Sequence, residues 1–290
     1  MTEVNDHKSQ SHWAQSFARF RRDKLGLASF AVVMIYFIIA ILVQLEIVGS
    51  GWDDFVDPMG FSPPSKEYWF GTNFNGQDVF TRAIYSTKVA FQVGITVSFI
   101  SVFIGAIIGS AAGYFSGSAL DEFILWLNGC IDAIPYLLFV AAISFILPDS
   151  NTSMYIALIA TGWVATCKYM RAQAIQYKNY VFVEAARAMG SYDLRIILRH
   201  ILPNTAPLIL IEITINFVGA IKAEAMLSFL GIGIKNGISW GIMLAEATSE
   251  IIAGHTNNFL SASLFMFVLV IAFNMFSDAL QDALDPNFQK

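Results

Sequence analysis

Apolar runs close to the ~20 residues that a membrane helix needs alternate with short polar segments along most of the chain. The first run covers 25–43, and the others predict helices at about 90–114, 120–147, 154–173, 205–230 and 261–281. Only a helix satisfies every backbone donor and acceptor within one such segment of the bilayer. The pattern therefore predicts an all-α polytopic membrane protein with six transmembrane helices.

The composition agrees with this fold class. Of 290 residues, 56% are hydrophobic and 13% are charged, whereas soluble chains carry roughly 25% charged residues. An ordinary soluble domain is therefore excluded, and no nucleic-acid partner is expected. Cys130 and Cys167 lie inside predicted spans without metal-ligand spacing. We expect both to be buried small apolar residues, with no metal site and no disulfide framework.

The first apolar run predicts an uncleaved span. It has 19 residues and ends at Gln44-Leu45-Glu46, whereas a signal peptide has an apolar region of about 7–15 residues followed by a small-x-small site. Lys and Arg are divided unequally. With the N-terminus inside, twelve lie on the cytoplasmic side and four on the outer side. Positive residues favour cytoplasmic loops, so both termini are predicted to be cytoplasmic.

The spans divide the chain into a cytoplasmic tail (1–24), a first span (25–48), an outer loop (49–88) and a five-span core (89–290) with a cytoplasmic loop at 174–204. Outer segments 49–88 and 231–260 carry aromatic residues, namely Trp52, Trp69 and Trp240, and the second also carries His255. Aromatic residues anchor loops at the membrane interface. Interfacial loops and contacts with an outer partner therefore remain open alternatives.

A charged, alanine-rich stretch (180–190) interrupts the apolar series. Glu184 lies in the first turn of a predicted short helix, where a carboxylate suits the helix dipole. Gly190 supplies the left-handed conformation that ends this helix. Ser191 is the predicted N-cap of the next helix, and Pro203 is predicted to stop it.

The small side chains of Ala185 and Ala186 would let another surface approach closely. Two interpretations follow: a stiff helix–glycine–helix unit that meets a soluble motor, or a hairpin that only joins two spans.

Glu184-Ala185-Ala186, with Gly190 four residues beyond Ala186 and Leu202-Pro203 farther along, resembles the EAA loop of ABC-importer permeases. That loop docks into the ATPase subunit. The resemblance implies an ATPase-coupling role for Val183, Glu184, Ala185, Ala186, Arg187, Ala188, Met189, Gly190, Ser191, Leu202 and Pro203.

The likeness to the dipeptide/oligopeptide/nickel permeases extends over nearly the whole chain. It includes Phe70-Gly71-Thr72-Asn73, Leu227-Ser228-Phe229-Leu230-Gly231, Trp240-Gly241 and the C-terminal Asp282-Ala283-Leu284-Asp285-Pro286. It implies type I ABC-importer architecture in a bacterial inner membrane, with peptide cargo. The implied partners are a second homologous permease in a heterodimer, two ABC ATPases and an extracytoplasmic solute-binding protein.

The chain lacks a glycine-rich phosphate loop ending in Lys-Ser or Lys-Thr. It is therefore expected to bind no cofactor and to have no enzyme activity, while ATP and Mg²⁺ are used by the partner ATPases.

Polar groups inside predicted spans are candidate pathway residues, because charge at membrane depth faces the bundle interior or water. These are Asp132, Glu212, Asn216, Ala220, Glu224 and Ser228. Glu212 and Glu224 could instead reach the interfaces, and as proton carriers with Asp132 they would suit a secondary transporter. Small residues at four-residue spacing in the second span predict close helix packing: Ser101, Gly105, Gly109 and Gly113.

Overall fold

The computed structural model describes residues 12–147 and 151–284, and this part of the chain is helical without strands. Its helices, connected by turns and irregular segments, are α1 (His12–Phe20), α2 (Lys24–Gln44), α3 (Val79–Tyr114), α4 (Ala119–Asp132), α5 (Tyr136–Ile146), α6 (Asn151–Tyr177), α7 (Val181–Ala188), α8 (Asp193–Ile196), a π-helical turn (Ile197–Ile201), α9 (Leu202–Asn204), α10 (Ala206–Phe229), α11 (Trp240–Ile252) and α12 (Asn257–Leu284).

Four helices of the described part are long and apolar enough to cross a membrane: α2, α3, α10 and α12. The helices α4 and α5 pass the same test only when taken together, as a broken span or a re-entrant loop, and they make a fifth span if the pair crosses as one. Helix α6 has 27 residues, or about 40 Å at 1.5 Å per residue, but Lys168 and Arg171 lower its hydropathy. The sixth span therefore stays a prediction.

Helix α3 begins at Val79, eleven residues before the apolar run that predicted it and inside the predicted loop 49–88. Asp78 caps it by accepting a hydrogen bond from the Thr81 amide at 3.0 Å. The first turns carry buried polar side chains, Arg82 and Ser86. The hydropathy pattern missed these turns because their polar residues face other helices and not water.

The predicted third span, 120–147, is not one helix. Helix α4 ends at Asp132, α5 starts at Tyr136, and their axes differ by 91°. Pro135 occupies the position before α5; its ring removes a backbone donor and disfavours helical geometry at the preceding residue. The proline that the sequence placed inside a helix therefore divides it.

The glycine row of α3 packs directly on α6. A Cβ atom at Gly105 would lie 2.6 Å from the Trp163 carbonyl oxygen, and one at Gly109 only 2.3 Å from that of Cys167. One at Gly113 would lie 2.3 Å from the carbonyl oxygen of Arg171. The predicted packing surface is thus a contact in which the two backbones themselves meet.

The two cysteines differ in environment. Cys167 is buried in α6, whereas Cys130 is exposed on α4, so the prediction of burial is wrong for Cys130. Neither forms a disulfide. Asn128, two residues before Cys130, points inward instead and donates to the Cys167 Sγ at 3.6 Å, which shows that Cys130 lies on the outward face of its helix.

A cap closes the end of the bundle where α3 begins. It consists of the irregular segment 45–78 and helix α11, which lies inside the predicted outer segment 231–260. Buried Arg82 pairs with Glu246 of α11 at 2.6 Å, and the Trp240 indole donates to the Ala83 carbonyl at 3.0 Å. These bonds fix the cap to the first turn of α3.

Candidate functional site

The residues from Val181 to Asn204, here named the exposed unit, lie at the opposite end of α3 from the cap. Helix α7 opens the unit, with Glu184 in its first turn as predicted. Val183 and Ala186 are buried on one side of α7, whereas Ala185 is exposed. The expectation that both alanines face another surface is therefore wrong for Ala186, which packs inside this chain.

Helix α7 ends in a Schellman motif centred on Gly190. The amide of Gly190 donates to the Arg187 carbonyl at 2.9 Å, and that of Ser191 to the Ala186 carbonyl at 3.0 Å. Gly190 has φ +81°, a left-handed conformation that glycine adopts without steric cost. Among the described residues, none except its chain neighbours has an atom within 4 Å of where its Cβ would be. The glycine is needed here for its backbone conformation and not for close approach.

Two predicted helix boundaries in the unit are wrong. Ser191 does not cap α8, because its amide completes the Schellman motif and Tyr192 occupies the N-cap position. Pro203 does not stop the helical path either, since the π-helical turn precedes it and α9 contains it. A π-helical turn is a rare element that often marks functional sites. The path breaks instead at Thr205, the residue that precedes α10.

An apolar cluster anchors the exposed unit to the ends of the long helices. Its buried members are Tyr114, Ala174, Val183, Ala186, Ile196, Ile197 and Ile201. Leu202 is partly buried against it, while Pro203 is exposed. The unit is consequently packed against the ends of α3 and α6, and its connecting segments are not its only attachment to them.

A polar contact fastens the unit as well. The Tyr114 hydroxyl donates to Asp193 Oδ1 at 2.6 Å and accepts a hydrogen bond from Arg187 Nη2 at 3.2 Å. Arg187 precedes Gly190 and Asp193 follows it. Sequence reasoning missed Tyr114, because a tyrosine at the end of an apolar run is expected to be an interfacial anchor.

The other face of the unit exposes apolar side chains beyond the apolar spans. Val181 is 80% exposed and Met189 78%, and Tyr192 and Leu194 are exposed as well. Glu184, Arg187 and Ala188 share this exposure. An exposed apolar patch rimmed by charge is typical of a surface that binds another protein. The geometry therefore favours a contact unit over a simple connection between two spans.

The predicted polar row of α10 lies against neighbouring elements of this chain. Glu212 accepts a hydrogen bond from the Thr166 hydroxyl of α6 at 2.9 Å, and the Asn216 side chain donates to the same hydroxyl at 3.3 Å. Ser228 donates to Glu224 at 2.5 Å, both being buried.

Ala220 packs in an apolar cluster with residues of α3, α5 and α6. Asp132, in contrast, is exposed and pairs with Lys168 of α6. The structure thus gives these groups contacts within one chain, and their role in a pathway stays a prediction.

Residues 101–290 match the family described as binding-protein-dependent transport system inner membrane component. The chain is 33% identical to the dipeptide transport system permease protein DppC of Bacillus subtilis, covering 97% of this chain and 88% of that protein. It is 32% identical to the oligopeptide transport system permease protein OppC of the same organism, covering 98% and 92%. It is 30% identical to the glutathione transport system permease protein GsiD of Pectobacterium atrosepticum, covering 99% and 95%. The chain therefore belongs to the family of binding-protein-dependent transport system inner membrane components.

Proposed function

We propose that this chain is one of two permease subunits of an ATP-driven importer and that its exposed unit binds a cytoplasmic ATPase. The chain is a multi-pass inner-membrane permease of the ABC-transporter class.

The exposed unit is the observation that carries this proposal. One side of the unit packs on the ends of α3 and α6 through the apolar cluster, and its other side exposes apolar side chains. A force applied to a seated unit reaches the helices below, because a packed apolar contact deforms little. The glycine-terminated helix α7 carries the residues that resemble the EAA loop.

The orientation proposed for the chain follows from charge. Arg187, Arg195 and Arg199 lie in the exposed unit, and positive residues favour the cytoplasm. The unit would then face ATP, and the cap would face a solute-binding protein outside. Helix α3, about 54 Å long by its 36 residues, separates the two ends. In this orientation α6 is the sixth span, and both termini are cytoplasmic.

The proposed cargo is a small peptide. The relatives are named for dipeptide, oligopeptide and glutathione transport, and all three cargo types are peptides. ATP and Mg²⁺ are used by the partner ATPases, and this chain has no catalytic role. Asp132, Glu212, Asn216, Ala220, Glu224 and Ser228 remain the proposed pathway residues, to be completed by the second permease.

A pair of substitutions at Gly190 tests the proposal in the complex with the partner permease and ATPases. Gly190→Val and Gly190→Asn both add a side chain at a position whose Cβ would meet nothing within 4 Å in the described part of the chain beyond its chain neighbours. Asparagine tolerates the left-handed conformation, whereas a β-branched residue does not. We expect Gly190→Val to weaken ATPase co-purification at least tenfold and Gly190→Asn to retain it. Equal retention by both variants, with wild-type levels in the membrane, would contradict the proposal.

A further inference from the structure

Helix α3 has no covalent connection to the exposed unit. The chain enters the unit from α6, through residues 178–180, and leaves it into α10 at Thr205. Motion that α3 shares with the unit must therefore pass through packing contacts: indirectly through α6, whose backbone meets the glycine row of α3, or directly at the end of α3. Tyr114, the last residue of α3, makes the hydrogen bonds that join α3 to the unit.

The Tyr114 hydroxyl bonds both helices of the unit at once. It donates to Asp193 at the start of α8 and accepts from Arg187 near the end of α7. The Arg187 guanidinium also lies 5.8 Å from the centroid of the Tyr114 ring. Gly190 lies between Arg187 and Asp193, and a Cβ added to it would meet no described residue other than its chain neighbours within 4 Å. The hydroxyl therefore links the two helices on either side of the turn at Gly190.

Tyr114 is well placed to keep this geometry. Its side chain is only 8% exposed, and its ring belongs to the apolar cluster beneath the unit. Hydrogen bonds to charged partners are stronger than those between neutral groups. Both partners of the hydroxyl are charged side chains on the exposed surface, so the buried ring fixes the position of the hydroxyl and the charge of the partners strengthens its hydrogen bonds.

The far end of α3 is attached to the cap. Arg82 pairs with Glu246, and Trp240 donates to the Ala83 carbonyl. The helix between Arg82 and Tyr114 is unbroken. A displacement of the exposed unit that moves α3 along its axis therefore also moves the contacts of the cap.

We propose that Tyr114 is a positioning residue that makes α3 move with the exposed unit and so connects the ATPase-binding face to the outer cap. This inference rests on the proposed function, because it assigns the residue that transmits between the two proposed binding faces. A rigid element whose position both sites affect is the physical requirement for such coupling.

The test uses the complete complex, with the partner permease, ATPases and solute-binding protein, and a short peptide as cargo. Tyr114→Phe removes the hydroxyl and keeps the ring. We expect normal ATPase co-purification and normal basal ATP turnover, but at least a fivefold smaller stimulation of turnover by the peptide-loaded binding protein. Tyr169→Phe is the matched control, because the hydroxyl of this half-exposed α6 tyrosine makes no hydrogen bond in the described part of the chain.

A double-variant cycle separates this role from simple packing. Asp193→Ala removes the acceptor of the Tyr114 hydroxyl, so the double variant should lose no more stimulation than either single variant. Unchanged stimulation in Tyr114→Phe, or losses that add in the double variant, would overturn the inference alone. A wild-type complex that never binds ATPases would instead contradict the proposed function, and the inference with it.

Discussion

The contact between α3 and α6 supports a quantitative prediction for Gly109→Ala. The new Cβ would lie 2.3 Å from the Cys167 carbonyl oxygen and 3.0 Å from its carbonyl carbon and Cα. Ordinary Cβ contacts begin at 3.4 Å, so the helices must separate by about 1 Å, and backbone atoms cannot turn aside as a side chain would. Overpacking of this kind costs about 1–3 kcal/mol.

Gly219→Ala in α10 is the matched control, because outside its own helix turn no atom of residues 12–147 and 151–284 lies within 4 Å of its Cβ position. Alanine is favoured over glycine in a helix by about 1 kcal/mol, so this variant should be neutral or stabilised. Because the gain in helix propensity is common to both variants, Gly109→Ala should be less stable than Gly219→Ala by the overpacking cost alone, about 1–3 kcal/mol.

The free energy of unfolding is measured by denaturing the detergent-solubilised permease pair with increasing dodecyl sulfate and following helix content. Gly113→Ala, which meets the Arg171 carbonyl oxygen at 2.3 Å, should behave like Gly109→Ala. If Gly109→Ala and Gly219→Ala unfold at the same denaturant fraction, the two backbones do not meet as described and the reasoning fails.

Two further predictions concern the cap. Glu246→Ala leaves the buried Arg82 without its charged partner. Because Glu246 is itself one-third exposed, we expect the free energy of unfolding to fall by about 2–3 kcal/mol. This is at or below the lower limit of the cost of removing one partner from a fully buried ion pair. Thermal unfolding measures this, and Arg82→Leu/Glu246→Leu should recover most of the loss; a double variant as unstable as Glu246→Ala would contradict the pairing. Hydrogen bonds from the Ser62 side chain, the Met59 amide and the Thr72 hydroxyl lower the pKa of Asp57. The ionised Asp57 therefore stabilises the fold at pH values above about 3.9, the pKa of Asp in the unfolded chain. This stabilisation is lost as the pH falls through the lower pKa that Asp57 has in the folded protein. Amide exchange in 56–62, corrected for intrinsic rates, should accelerate below about pH 4 in the wild type; the same acceleration in Asp57→Asn would exclude Asp57 as its source.

The features that the sequence predicts correctly depend on local chemistry. Gly190 is predictable because a chain that must reverse after α7 needs a left-handed residue, and φ +81° meets that need. The glycine row of α3 is predictable because small residues at four-residue spacing form one helical face. In both cases the relevant neighbours are fixed by the helix period or by the next residue.

The features that it misses depend on partners far along the chain. The start of α3 at Val79 is hidden because Arg82 is polar, and its partner Glu246 lies 164 residues away. The role of Tyr114 depends on its hydrogen bond to Asp193, which lies 79 residues later in the sequence. Pro203 is misjudged for a different reason: it lies in α9, directly after the π-helical turn, and single-residue propensities do not predict that turn.

The ion pair of Arg82 with Glu246 also bears on how the protein is made. A ribosome adding about 5–20 residues per second needs roughly 8–33 s to reach Glu246 after Arg82, given their separation of 164 residues. During that interval the guanidinium is without its native carboxylate, and the nascent first turns of α3 must stay in water or be shielded by the insertion machinery. The cap is consequently completed late in biosynthesis, when most of the membrane helices are already in place.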